Sequence, residues 1–155
     1  MAPRSYIALA LAAGPNRSAA VVTLAVALAV FALGRVPLPV GSGVDLRAPD
    51  RVDGRVQATP LGFSPPAPGG RYLESGHGRL IWNRPLPARF TLALDVAADT
   101  PGTRVVVSLG GDATPLPIAR GPVQVELYNP AGLREIRLST RPAGARVAFR
   151  RAAVR

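Results

Sequence analysis

The pattern of apolar and polar positions changes period once along this chain, close to residue 35. Before that point lies one uninterrupted apolar run, Ala19 to Leu33 (AAVVTLAVALAVFAL), bracketed by Arg17 and Arg35, and nothing later is as apolar for as long. The run predicts a helix. Ser18 to Gly34 just reaches the lower bound of about 17 residues for a bilayer span, with the flanking arginines placed to snorkel toward headgroups. A transmembrane anchor and a cleavable signal peptide both fit. Arg4 and Arg17 make a positive leading region, and Ala27 and Ala29 give an A-x-A-like spacing. A buried helix is the third reading. Tyr6 to Ala13 is apolar too, but Gly14-Pro15-Asn16-Arg17 ends it too soon to span. Two arginines and no acidic residue before the run favour an inward N-terminus and an exported C-terminal part.

Further along, the period is two. Phe90, Leu92, Leu94 and Val96 alternate with Thr91, Ala93 and Asp95, and Val123, Val125 and Leu127 alternate with Gln124 and Glu126. Ile136 and Leu138 stand against Arg137 and Ser139, and Val147 and Phe149 lie between Arg146 and Arg150. Alternation of this kind marks strands with one buried and one wet face. Arg79 to Asn83 and Arg104 to Leu109 alternate less strictly and read as central strands. Arg55 to Ala58 and Thr114 to Ile118 are weaker candidates, the second made an edge by Pro115 and Pro117. Turn signals separate them: Asp99 to Gly102, Gly110-Gly111-Asp112, Asn129 to Gly132 and Pro142 to Gly144. Seven or eight short strands with no amphipathic helix between them predict an all-β, antiparallel, jelly-roll-like sandwich behind one N-terminal transmembrane or signal helix.

The domain plan that follows is a stub over 1–17, the helix over 18–34, a Pro/Gly tether over 35–53 and the sandwich over 54–155. With 155 residues and no cysteine, a single core must hold that sandwich without disulfides or thiolate metal sites. The net charge of +10 comes from 19 basic residues, all arginine, which points to a GC-rich bacterial genome before it points to nucleic acid. Aromatic residues are only 5% of the chain, too few for the stacking platforms of a nucleic-acid-binding sheet. The one acid-free basic cluster is Arg141, Arg146, Arg150, Arg151 and Arg155. It reads as a solvated edge strand protected by charge, or as a tail for anionic headgroups or acidic polysaccharides.

Catalytic chemistry is sparsely represented. His77 is the one histidine. Glu74 is its neighbour, and Asp112 would have to approach in the fold to complete a hydrolytic group. No nucleophile-elbow spacing surrounds Ser75 or Ser108, and no helix follows Gly110-Gly111-Asp112 to make it a phosphate loop. For sugar binding, a flat aromatic face beside bidentate donors is the useful pairing, and Arg71, Tyr72, Trp82 and Asn83 supply it. Trp82 equally suits a core position, and Arg71 equally suits bonding to the carbonyls of its own loop.

The stretch Gly62-Phe63-Ser64, Gly70-Arg71-Tyr72, Leu80-Ile81-Trp82 and Leu86 to Leu92 (LPARFTL) resembles a known arrangement. It is similar to the small jelly-roll domains on the extracytoplasmic side of bacterial membrane glycosyltransferases and related envelope transferases. The resemblance covers Leu61 to Pro142. Pro65-Pro66-Ala67-Pro68 stands where that family carries an acidic residue, and Tyr72 replaces a tryptophan. The resemblance implies a non-catalytic accessory or glycan-binding module, without cofactor, whose partners are the bacterial inner membrane and an envelope glycan or a polytopic glycosyltransferase. Its C-terminal domain would lie in the periplasm. The alternative is a protein-interaction subunit docking onto a larger membrane complex.

Overall fold

The computed structural model describes residues 17–33, 35–48, 58–118 and 122–155. The chain separates into two units between Val36 and Pro37. The first contains α1 (Arg17–Leu33). From Val21 to Ala32 every side chain of α1 is exposed, so no face of it is reserved for packing. The hydroxyl of Thr23, its one polar side chain in that stretch, donates to the carbonyl of Ala19 at 2.9 Å and is satisfied within the helix. Past the helix end, the Arg35 guanidinium lies over the Phe31 ring at 4.2 Å. The expectation of a transmembrane helix needs correction. Among the described residues no helix is long and apolar enough to cross a membrane. Seventeen residues at 1.5 Å each make a rod of about 26 Å, against a hydrocarbon core of about 30 Å.

The second unit is an all-β sandwich of two antiparallel sheets. Sheet A places β1 (Gly43–Asp45) and β3 (Arg71–Tyr72) on β10 (Val147–Val154), followed by β5 (Arg89–Ala98) and β8 (Val123–Tyr128). Sheet B runs β2 (Ala58–Leu61), β4 (His77–Trp82), β9 (Glu135–Arg141), β6 (Arg104–Leu109) and β7 (Asp112–Pro117). The pairings are nested. β6 pairs with β7, β5 with β8, β4 with β9 and β3 with β10, so one antiparallel ribbon is doubled back and rolled over itself. Between the sheets lies one hydrophobic cluster. Sheet B contributes Leu80, Trp82, Val105, Val107, Ile136 and Leu138; sheet A contributes Phe90, Leu92, Leu94, Val147, Phe149 and Val154. Phe63 meets Phe149 edge to face at 5.5 Å.

The expected strands over Arg79–Asn83, Phe90–Ala97, Arg104–Leu109, Val123–Tyr128 and Glu135–Thr140 are present as β4, β5, β6, β8 and β9. β7 is an edge, with Pro115 and Pro117 withholding donors from any further strand. Of Arg55–Ala58, the residues before Ala58 lie outside the described ones. The basic tail is not an edge strand: β10 lies between β5 on one side and β1 and β3 on the other. A bulge between Phe149 and Arg151 explains its sequence. Strict alternation from Val147 would carry Arg151 into the core. The extra residue Arg150 resets the phase, so Ala152 and Val154 turn inward and Arg151 stays out.

The tether region departs from expectation as well. β1 pairs Gly43, Val44 and Asp45 with Ala153, Ala152 and Arg151. Leu38 and Leu46 are 3% and 1% exposed and belong to the core cluster. The Leu46 amide donates to the Arg150 carbonyl at 2.8 Å. A three-residue strand between prolines and glycines carries no measurable period, so composition alone gave no sign of it.

Two substitutions check this packing. Leu46→Ala should lower the unfolding free energy in a urea titration by about 2–5 kcal/mol, the usual cost of emptying a core leucine site. A value near zero would return the segment to a tether. At Gly78 a Cβ would lie 2.7 Å from Leu73 Cδ2 and 2.8 Å from Phe63 Cε2. Gly78→Ala should therefore cost about 1–3 kcal/mol by overpacking, and a neutral result would contradict the placement of Phe63 against β4.

Candidate functional site

The four residues expected to bind sugar are separated by the fold. Arg71 is 4% exposed. Its Nε donates to the Leu46 carbonyl at 3.0 Å, and its two terminal nitrogens donate to the carbonyls of Ser64 and Ala48, each at 3.4 Å. It is a clamp holding the β1 segment and the Phe63–Ser64 loop to β3. Trp82 is 1% exposed in the core, and its Nε1 is buried with no hydrogen-bond partner among the described residues. Tyr72 and Asn83 reach the surface, but Tyr72 lies before the turn into β4 and Asn83 just after its last residue. The six residues of β4 put roughly 17 Å of strand between them. The Tyr72 ring is covered by the Arg146 guanidinium at 4.5 Å, while the Asn83 carbonyl accepts from Arg134 at 3.4 Å. An aromatic face with convergent donors is therefore not assembled from these four.

The hydrolytic grouping does not converge either. His77 opens β4 and Asp112 opens β7, three strands away across sheet B. His77 stands level with Ser139, Val106 and Pro115, so Asp112 is also displaced three residues along its strand. Strand spacings of about 4.8 Å and a rise of about 3.3 Å per residue put the two backbones roughly 17 Å apart. Among the described residues no group of three or more His, Asp or Glu side chains could hold a metal ion.

What the fold does assemble is two outer faces of different electrostatic character. On sheet A no arginine stands opposite another arginine, and several lie close to carboxylates. Arg151 stands in register between Asp45 and Asp95, Arg89 reaches Glu126 at 3.4 Å, and Arg146 is 4.0 Å from Asp99. Asp45 also takes a two-point contact from Arg47, at 3.0 Å from Nε and 2.9 Å from the terminal nitrogen. That hydrogen bond, opposed in part by burial, holds the Asp45 carboxyl below its usual range. On sheet B the outward positions are His77, Arg79 and Ile81 of β4, Glu135, Arg137, Ser139 and Arg141 of β9, and Arg104, Val106 and Ser108 of β6. Their neighbours in sequence fill the core. Arg79 is the register partner of Arg137, and Arg104 of Arg141. A shallow groove of about 510 Å³ runs here, with Arg79 and Arg137 as walls and Ser108, Ser139 and His77 beside them. Glu135 binds Arg137 at 2.8 Å and approaches Arg79 at 3.7 Å.

The loops at one end of the sandwich are fixed by Asn129, a buried polar residue. Its amide donates to the Leu86 and Leu133 carbonyls at 3.0 and 3.1 Å, and its Oδ1 accepts from the Leu133 amide at 2.8 Å. The sequence marks Asn129 only as a turn residue. Of the sheet B arginines, Arg137 is legible as an outward position from alternation, whereas Arg79 and Arg104 begin strands read as central and Arg141 falls in the basic tail. Their pairing depends on register between strands distant in sequence, which alternation within a strand does not reveal. Compared with known proteins, the chain matches no protein family, no curated protein and no solved structure.

Arg71→Gln should destabilise the fold by about 3 kcal/mol, because it strips charge-assisted donors from one buried and two part-buried carbonyls. Chemical denaturation measures this, and an unchanged midpoint would contradict the clamp. The Asp45 carboxyl sits below its ordinary range, so its contribution is fully present above that range and is lost as pH falls through it. Asp45→Asn should accordingly flatten the acid side of a melting-temperature profile below about pH 4 while shifting it little at pH 7. An acid limb identical to that of the parent chain would contradict this assignment.

Proposed function

We propose that this protein is a non-catalytic binding module of the bacterial envelope, a jelly-roll-like sandwich on the extracytoplasmic side of the inner membrane. It is kept there by contact of the apolar N-terminal segment with lipid or another apolar helix, and not by the described helix spanning the bilayer alone. Its place is in envelope glycan chemistry, as an accessory to glycosyl transfer. The observation that carries this reading is the nested pairing of β3 through β10, the winding of a two-sheet jelly roll. Such a fold offers broad sheet faces for binding, and here the outer face of sheet B carries an open groove of polar and basic side chains. The membrane part of the reading is supported by α1, whose apolar side chains are exposed all round. Bare apolar surface of that kind seeks lipid or another apolar helix.

A second reading is a protein-interaction subunit that docks onto a larger membrane complex. It is favoured by Tyr128, 70% exposed on the edge strand β8, and by the same bare helix. Under that reading a polytopic partner co-purifies through Ala19–Leu33 and the sandwich binds no saccharide.

The membrane claim is tested in cells expressing the full chain. The parent protein should stay with membranes through an alkaline wash, and a periplasm-dependent reporter on its C-terminus should be active. Val26→Arg, which places a charge in the middle of α1, should release a large share of the protein to the soluble fraction. Full recovery of the parent chain in the wash, or activity only from a cytoplasmic reporter, would overturn this part of the proposal.

A further inference from the structure

The two outer faces of the sandwich differ in what stands opposite each arginine across the ladder. On sheet A, Arg151 lies between two aspartates in register, and Arg89 and Arg146 each reach a carboxylate. On sheet B, Arg79 faces Arg137 and Arg104 faces Arg141, although like charges directly opposite across a ladder repel. Among the described residues, Glu135 is the one carboxylate on that face, and Arg104 and Arg141 form no ion pair. Glu135 occupies Nε of Arg137 and leaves the terminal nitrogens of that guanidinium without a described carboxylate. The two arginine pairs are four residues apart along β9, about 13 Å. Between them runs the row His77, Ser139 and Val106. A single small anion would meet one pair only. The spacing fits anionic groups carried on alternate or nearby sugars of a chain, with the hydroxyl of Ser139 beneath the sugar between them and that of Ser108 level with the Arg79–Arg137 pair.

We infer that the outer face of sheet B binds an acidic glycan, its carboxylate or phosphate groups seated between Arg79 and Arg137 and between Arg104 and Arg141. This inference deepens the glycan-module reading above and rests on it. Planar guanidinium forks suit either anion, since both present two oxygens to paired N–H donors. Glu135 then acts as an internal competitor that holds Arg79 and Arg137 in place when the face is empty.

The test is a calorimetric titration of the full chain in phosphatidylcholine nanodiscs at near-physiological salt. The probes are an oligogalacturonate, a glycerol-phosphate oligomer, a neutral dextran oligosaccharide of similar length and a poly-glutamate. An acidic saccharide should bind and the neutral one should not; the acid preferred tells carboxylate from phosphate recognition. Arg137→Gln and Arg104→Gln should each weaken that binding about tenfold, the loss of one charge-assisted contact. Arg89→Gln and Arg151→Gln, on the opposite face, should change it by less than about twofold, and Glu135→Gln should tighten it. Thermal melts identify any variant that has lost its fold, and exposed strand positions of this kind tolerate glutamine. Binding of the neutral saccharide alone would overturn the inference and leave the glycan module standing. Equal losses from both faces would reduce the effect to diffuse charge attraction and also overturn it, as would poly-glutamate binding as tightly as the glycan. If no saccharide binds, the inference and the reading beneath it fall together.

Discussion

The register of β4, β9 and β6 is the constraint on which the rest of this structure depends. It sends Leu80, Ile136, Leu138, Val105 and Val107 into the core from three adjacent strands. The side-chain period of a strand is two, so a slip of one residue would expose those five and bury Arg79, Arg104 and Arg137 in their place. Several buried aliphatic side chains, each worth about 1.5–3 kcal/mol, oppose that exchange. The same register brings Arg79 against Arg137 and Arg104 against Arg141. Core packing thus imposes like-charge pairs on the outer face, because each pair is worth only a fraction of a kcal/mol to about 1 kcal/mol against sheet formation. What the core enforces, the surface must then neutralise by solvent, by Glu135 or by a ligand.

Sheet A is held by its last strand. β10 receives β1 and β3 on one side and β5 on the other, and the bulge at Arg150 lets an arginine-rich sequence serve as an interior strand. The Arg71 clamp and the hydrogen bond from Leu46 to Arg150 fasten the β1 segment onto this strand. The chain therefore closes its sandwich with residues that composition alone would assign to a linker and a basic tail. In a sandwich without disulfides, that closure rests entirely on packing and backbone pairing.

Strand positions and the turns between them were legible from period-two alternation and from Pro, Gly and Asn signals, since each reports on local geometry. The nested order belongs to pairing between distant segments, and no local period encodes it. Arg71 and Trp82 show the limit at the level of single residues. A guanidinium and an indole next to glycines or polar residues look like ligand groups in sequence, yet both are buried, one against backbone carbonyls and the other in the core. The arginines of sheet B show the reverse. Only Arg137 is a wet-face residue by alternation, and the pairing of Arg79 with Arg137 and of Arg104 with Arg141 comes from register alone. The apolar run also changes meaning: its helical character is as expected, but the described helix of 17 residues is shorter than a bilayer core.

The asymmetry between the two faces is the centre of this account, and arginine side chains can be observed directly. The most direct measurement is an arginine Nε–H correlation spectrum of the isotope-labelled full chain, recorded during titration with the acidic saccharide that it binds. The signals of Arg79, Arg104, Arg137 and Arg141 should move together with one affinity while those of Arg47, Arg89 and Arg151 hold still. Movement spread evenly over both faces, or confined to the sheet A arginines, would contradict it.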